Sequence, residues 1–395
     1  MILKVRNFPA QRPEFLRALF LFASICIVGN AWASELPQTP VRDTVVETQL
    51  LPTAVKQAIR QLRRVSPTDR TTRNELSPSQ RVDNARRFIQ AGRASGDPRT
   101  LGYAEAALTG LPETGPNGVE VLVLRATIEQ SRHRFDTARE VLDRAIAQSP
   151  GHVQARLTRA TVAHVRGNLD TARQDCDALR EPAATIAIIC HAIGDSLSGN
   201  NARALGALQK VADPSLRGWA LSLAGEIHEQ QGAIEAAVSA YSASLALGPD
   251  LYTSVALVDA LIAQRKWPQA EQTLAPLPAT DAVLLRRWIV ERRQQRDASA
   301  LQTLLAGRFA AAQARGELLH AREAALFALE LSDNANALKL AQQNWNDQRE
   351  PADLRILASA ARLMNDPTAL AETRAWIART GLRDVRVERA LAGKS

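Results

Sequence analysis

The chain has little cysteine, few aromatic residues and few of the residues that interrupt helices. Its 395 residues include 3 cysteines, 20 glycines and 19 prolines, and aromatic residues make up 4%. So little glycine and proline excludes a collagen-like or low-complexity chain. Beside 46% hydrophobic residues, the low aromatic content favours close-packed helices rich in alanine and leucine. The length exceeds what one hydrophobic core usually organises, so several domains or one extended array are expected.

The sequence also lacks the motifs of common enzyme and metal chemistry. It has no H-E-x-x-H, no C-x-x-C followed by histidine, no G-x-S-x-G, no P-loop and no G-x-G-x-x-G that opens a helix after a strand. His228 lies between Glu226 and Glu229, but residues one or two apart on a helix point in different directions. We therefore predict no metal, no cofactor and no catalytic residue, that is, a protein that is not an enzyme.

The first 33 residues are typical of a secretory signal peptide. Four basic residues among the first 17 form a leader, residues 18–28 are nearly all apolar, and Ala31-Trp32-Ala33 is an A-x-A cleavage site. The apolar run of about 11 residues is roughly half of what a spanning helix needs. We expect cleavage before Ser34, a periplasmic protein and no stable membrane insertion afterwards. An uncleaved membrane anchor is the alternative.

The net charge is positive, with 49 Lys and Arg against 41 Asp and Glu. Such a balance in a cytoplasmic protein would suggest nucleic-acid binding. Only six of the basic residues are lysine, which indicates codon bias toward arginine more than a surface that binds phosphates. Because export is expected as well, we predict no nucleic-acid partner.

Small residues recur through the middle of the chain with a period near 33. One column is spaced by 34, 32, 33 and 33 residues, and each member has a larger apolar or soft residue four positions later. The column consists of Ala138, Ala172, Ala204, Ala237 and Ala270, and the later partners are Leu142, Cys176, Leu208, Tyr241 and Leu274. A second column of small residues, about a dozen positions earlier, is Ala126, Ala160, Gly194 and Gly225. This period predicts helix pairs that stack into a solenoid.

The repeat resembles the tetratricopeptide repeat. The second half of that motif, A-x3-F-x2-A-x4-P, is matched by Ala138-x3-Leu142-x2-Ala145-x4-Pro150 and again from Ala237 to Pro249. The chain departs from the motif at the tyrosine of the first helix, where Glu129, Ala163, Leu197 and His228 stand. The resemblance implies an all-α, right-handed α-solenoid of helix pairs. Within this family, the chain is similar to bacterial exported repeat proteins. It is uninformative about the partner.

Composition and repeat quality divide the chain into four parts. Residues 1–33 form the signal peptide, and residues 34–78 form a linker with one predicted helix from Val55 to Val65. Residues 79–278 carry the clear helical repeats, whose turns are expected at Gly167, Gly199 and Gly232 among others. Residues 279–395 carry degenerate repeats of the same kind.

The first helix of each pair should line the concave groove of such a solenoid. A partly acidic stripe of polar side chains lies one residue after each member of the earlier column of small residues. Further groove candidates lie nearby. This predicted partner-binding set is Thr127, Gln130, Gln154, Thr161, His164, His191, Asp195, Trp219, Ser222, Glu226, Glu229, Tyr252 and Asp259. Acidic side chains beside Trp219 and Tyr252 suit a peptide with Lys or Arg and an apolar anchor. The alternative is an ordinary solvated helix face.

Two cysteines remain after signal removal, in a compartment that is oxidising. Cys176 lies on the second helix of one pair and Cys190 on the first helix of the next, and stacked neighbours bring such positions together. We predict a disulfide between them, with two free buried thiols as the alternative.

These features favour a non-catalytic periplasmic scaffold or adaptor that binds a protein or peptide, possibly a basic one, in its concave groove. A more specialised alternative is an assembly factor or chaperone for an envelope complex, such as cytochrome-maturation or outer-membrane machinery. A cell-wall enzyme or its activator is a further alternative, although the residues for catalysis are missing.

Overall fold

The computed structural model describes residues 76–315 and 321–393, and in these residues every regular element is a helix. The first nine are α1 Pro78–Ser95, α2 Arg99–Leu108, α3 Gly118–Ser131, α4 Phe135–Gln148, α5 Val153–Val165, α6 Leu169–Ala178, α7 Ala184–Leu197, α8 Asn201–Gln209 and α9 Pro214–Gln230. The others are α10 Ile234–Leu247, α11 Leu251–Ala263, α12 Trp267–Leu274, α13 Asp281–Arg293, α14 Ser299–Ala314, α15 Ala321–Glu330, α16 Asn334–Asp347, α17 Pro351–Leu363, α18 Pro367–Thr380 and α19 Val385–Ala392. Consecutive helices pair and stack, which confirms the all-α, right-handed solenoid of tetratricopeptide-like helix pairs.

The alanine column lies where the two helices of each pair cross. All five of its alanines are completely buried, and their larger partners four residues later are at most 2% exposed. The earlier column is small for the same reason. At Gly225, a Cβ would lie 2.4 Å from the ring of Tyr241, so a larger residue would push the two helices apart. The period read from the sequence is therefore the spacing of helix crossings.

Local signals set where the helices begin and turn. Ser77 caps α1 with a reciprocal capping box to Gln80. Turns between paired helices pass through backbone conformations with positive φ, which glycine adopts without strain. Gly167, Gly199 and Gly232 have φ of 74°, 73° and 74° at these predicted turns.

The solenoid curves until its first helix meets the pairs in its middle. The end of α1 contacts the start of α11, where Gly96 lies against the side chains of Thr280 and Leu251. The C-terminal helices also return to earlier pairs. The backbone N–H of Arg349 donates to the carbonyl of Val165 at 2.8 Å. The structure is thus a closed superhelix rather than an open arc.

The C-terminal region contacts the turns of four successive helix pairs. Its contacts with the turn residues are Gln348 to His133 (2.9 Å to Nδ1), Trp376 to Gly167, Gly381 to Gly199 and Val385 to Gly232. Asn201 adds a 3.3 Å hydrogen bond from its Nδ2 to the carbonyl of Arg383. The degenerate repeats therefore cover one side of the groove that the clear repeats form.

The disulfide between Cys176 on α6 and Cys190 on α7 is confirmed. The two Cα atoms lie 5.5 Å apart, and both cysteines are almost fully buried. The pair also belongs to the hydrophobic core that α5 to α9 share. The bond links two successive helix pairs.

Removing this disulfide is expected to destabilise the protein by about 3 kcal/mol, because the bond closes a loop of 14 residues in the unfolded chain. The Cys176→Ala/Cys190→Ala variant should show this loss in urea unfolding of the oxidised protein. Under reducing conditions the loss should shrink, since the wild type then loses its bond as well. Equal stability of the oxidised wild type and the variant would contradict the prediction.

The predicted signal peptide and most of the linker, including the predicted helix at 55–65, lie outside the described residues. Within the described ranges, none of the helices combines the length and apolar character that crossing a bilayer requires.

Candidate binding site

A large cavity lies where the superhelix closes, and we call it the closure cavity. Its volume is about 810 Å³, within the range of ligand sites. It is bounded by the end of α1, by α9, by the α10–α11 connection and the start of α11, and by the α12–α13 connection. No single repeat contains it, because its walls come from the first helix and from the pairs in the middle of the array.

The walls of the closure cavity are mainly apolar. Trp219 on α9 and Leu251 on α11 form buried parts of the wall, whereas Leu247 at the end of α10 is 46% exposed. Pro276 and Leu277 complete the opposite side. Such a surface offers apolar side chains a place to bury, which is the main source of binding free energy.

Polar groups in the closure cavity are few and fixed. The hydroxyl groups of Ser222 and Thr253 lie 2.9 Å apart and hydrogen-bond each other. Asp250 caps α11 by accepting from the N–H of Thr253 at 2.7 Å. Arg93 projects from α1, and burial lowers the pKa of its guanidinium to about 9. These groups can orient a ligand, but they provide no nucleophile with an adjacent base.

A smaller cavity of about 80 Å³ adjoins the first and shares Trp219, Ser222 and Tyr252 with it. Its other walls include His164 and Glu226 on the groove side and Glu350 from the C-terminal region. Burial lowers the pKa of His164 to about 3, so this histidine is neutral. Burial raises the pKa of Glu226 to about 8, and the pKa of Glu350 is raised by burial too. Glu226 is consequently protonated at neutral pH.

The structure brings six of the thirteen predicted groove residues to these cavities. They are Thr161, His164, Trp219, Ser222, Glu226 and Tyr252. Thr127, Gln130, Gln154 and Glu229 are buried and line neither cavity, while His191, Asp195 and Asp259 are half-buried away from both cavities. The buried residues serve the chain itself: the hydroxyl of Thr127, for example, donates to the carbonyl of Val123 at 2.8 Å.

The predicted acidic stripe has partners within the chain. Asp195 accepts from Nε of Arg203 at 2.7 Å, and Asp259 accepts from Nε of Arg286 at 2.9 Å. Glu229 lies 3.1 Å from the guanidinium of Arg386 in α19 and accepts from the hydroxyl of Tyr241 at 2.7 Å. Their charge is therefore largely compensated, which the positions of the acids in the sequence could not reveal.

Sequence reasoning missed the residues that the closure contributes. Gln90, Arg93 and Leu247 line the main cavity, but no motif or period marks them. Their meeting depends on the summed rotation of the intervening helix pairs. In the described residues, no three His, Cys, Asp or Glu side chains are grouped so that they could hold a metal ion.

The raised pKa of Glu226 predicts a pH-dependent stability. The folded state keeps this proton up to about pH 8, whereas an unfolded glutamate releases it near its ordinary pKa of about 4.3. Its contribution is therefore full below that ordinary value and is lost as the pH rises through 8. Glu226→Gln should unfold at higher urea than the wild type at pH 9, with the difference shrinking toward pH 5. A difference that is independent of pH would contradict the assignment.

Comparison with known proteins places the chain near helical repeat proteins only at low similarity. No protein-family model and no curated protein matches it. It is similar to a chain of the APC/C hetero-tetramer Cut9–Hcn1, with 15% identity, a TM-score of 0.49 and coverage of 80% of this chain and 65% of that one. It is also similar to human IFIT1, solved as a dimer with m7Gppp-AAAA, with 12% identity, a TM-score of 0.47 and coverage of 82% and 76%.

A tetratricopeptide repeat protein from Parabacteroides merdae gives 12% identity and a TM-score of 0.38, with coverage of 73% of this chain and 99% of that one. The chain spans less than two thirds of the matched chain of Cut9–Hcn1. At these TM-scores the similarities add nothing to the argument about ligands. The fold assignment rests on the helix pairs of the chain itself.

Proposed function

We propose that this protein is an exported, non-catalytic scaffold that binds a segment of a partner protein in the closure cavity. The observation that carries the proposal is the cavity itself, which is about 810 Å³ in volume, has apolar walls and has the exposed Leu247 on its wall. A well-formed apolar cavity with a few polar groups is the usual form of a binding site. Export is proposed from the basic leader and the A-x-A site of the first 33 residues.

The chemistry of the cavity favours an apolar anchor over a charged one. Asp195 and Asp259 already pair with arginines of the chain, and Glu226 is protonated at neutral pH. A basic partner would therefore gain little from the predicted stripe. Trp219 and Leu251, by contrast, offer buried apolar surface of the kind that anchors partner side chains at interfaces. We propose that the anchor supplies most of the affinity and that basic residues of the partner add little.

A matched pair of variants tests this proposal on the mature protein. Leu247→Asp places a charge in the cavity wall, and Leu363→Asp places one on an equally open surface, since Leu363 is 55% exposed and does not line the cavity. Because both side chains start exposed, both variants should fold. Partner segments should be identified by photo-crosslinking in envelope extract and then measured as synthetic peptides.

The proposal predicts that Leu247→Asp weakens peptide affinity about tenfold, which corresponds to about 1.4 kcal/mol. Leu363→Asp should bind like the wild type. Added salt should change the affinity little, because the anchor is apolar. Equal binding by both variants, or crosslinks that map away from α1, α9 and α11, would refute the cavity as the binding site.

A further inference from the structure

We propose that residues 55–65 of the same chain occupy the closure cavity in cis and compete there with the partner segment. The inference rests on the proposed function only for this competition, because binding in cis requires the cavity and the segment alone. Residues 55–65 lie in the part of the chain that precedes the described residues.

The segment has the pattern of a basic amphipathic helix. Val55, Ile59, Leu62 and Val65 follow one another at spacings of four, three and three residues, which places them on one face of a helix. The cationic residues Lys56, Arg60, Arg63 and Arg64 fall on the remaining face. The segment therefore offers a row of apolar anchors on one side and water-soluble charges on the other. This is the amphipathic form in which helices enter apolar grooves.

The chain between the segment and the cavity is long enough. Residues 66–77 connect the segment to α1, and twelve residues can span up to about 40 Å. Gln90, Arg93 and Ala94 on α1 line the cavity, and they lie about 18–24 Å along the helix from its start at Pro78. The segment can thus fold back along α1 and reach the cavity. A tether of this length gives an effective concentration of about millimolar or more.

The walls of the cavity fit a helix that turns its apolar face inward and its cationic face outward. The apolar wall around Trp219, Leu245 and Leu251 would face the row of aliphatic side chains. Arg93 also lines the cavity, so the cationic face of the segment would turn away from it toward water. Unlike a separate partner, this segment is tethered within reach of the cavity. It would also cover Leu247, which is otherwise 46% exposed.

Site-specific photo-crosslinking in the mature chain, residues 34–395, tests the binding in cis. A benzophenone amino acid at Leu62 should crosslink within the same molecule to α9, α11 or the α12–α13 connection, as mapped by mass spectrometry. The same group at Arg64, on the cationic face, should give these crosslinks at a yield at least fivefold lower. Equal yields at both positions, crosslinks to other surfaces or crosslinks only between molecules would overturn the inference.

A second measurement tests the competition. A fluorescein-labelled peptide of residues 53–66 should bind the Ile59→Asp/Leu62→Asp chain about tenfold more tightly than the wild type, because the substituted segment leaves the cavity. The control Arg60→Glu/Arg64→Glu alters the opposite face and should not release the cavity. Adding Leu247→Asp to the first variant should remove the gain. Equal affinity of the wild type and the Ile59→Asp/Leu62→Asp chain would refute occupation in cis.

The two proposals fail in different ways. If the crosslinks from Leu62 form but no peptide from a partner protein binds in the cavity, occupation in cis stands and the proposed function fails. If a partner peptide binds the wild type and the Ile59→Asp/Leu62→Asp chain equally and Leu62 does not crosslink to the cavity, the proposed function stands and occupation in cis fails.

Discussion

Arg322→Met is expected to lower the free energy of unfolding by about 3–5 kcal/mol, because it leaves a buried carboxylate without its cation. Arg322 on α15 is 8% exposed, and Asp353 on α17 is 2% exposed. The guanidinium donates to both carboxylate oxygens of Asp353, at 2.5 Å and 2.7 Å, and to Glu350 at 2.5 Å. Asn344 donates to the same carboxylate at 2.7 Å, and the backbone N–H of Glu350 does so at 3.1 Å.

This network joins three helices of two successive pairs, so its loss should reduce the cooperativity of the C-terminal region. Urea unfolding followed by circular dichroism measures the loss, and a lower m-value would show that the region unfolds separately. The control is Arg293→Met, since Arg293 forms an exposed pair with Glu330 and should cost less than about 1 kcal/mol. Arg322→Met/Asp353→Leu should recover part of the stability. Equal losses in the two single variants would contradict the prediction.

Trp376→Ala is expected to cost about 3–5 kcal/mol and to open the superhelix. Trp376 on α18 is 6% exposed and meets the ring of Trp345 edge-on, with ring centres 5.1 Å apart. The guanidinium groups of Arg379 and Arg349 lie 4.7 Å and 5.4 Å from its centre. Its outer edge packs on the turn at Gly167, where a Cβ would come within 2.0 Å of the ring. Removing the indole therefore empties the contact between α18 and the α5–α6 turn.

Small-angle X-ray scattering should show a larger radius of gyration for Trp376→Ala than for the wild type. Gly167→Ala probes the same contact from the other side, and its added Cβ should produce a similar opening together with strain from the positive φ of 74°. The matched control is Trp267→Ala, since Trp267 begins α12 away from this contact. A loss of stability with an unchanged radius would show that closure does not depend on Trp376.

The arrangement of the helix pairs could be predicted because it is encoded locally. The spacing of Ala138, Ala172 and Ala204 equals the length of two helices and two turns, so the period directly predicts stacked helix pairs. The turns at Gly167, Gly199 and Gly232 could be predicted for the same reason, since a helix end needs a residue that tolerates positive φ. The Cys176–Cys190 bond joins neighbours in the stack, and neighbours in a solenoid are neighbours in sequence.

Contacts between distant parts of the chain set which parts of the predicted groove stay accessible. The small rotation between successive pairs adds up over the array, and this sum brings Gly96 beside Leu251 and Gln348 beside His133. The local period of the sequence does not give this total rotation. Neither the closure cavity nor the covering of the groove could therefore be predicted from the period. The pairing of Asp259 with Arg286 depended likewise on contacts between elements. The local pattern of residues was enough to define the repeating unit, whereas long-range packing set which of its polar faces stay exposed.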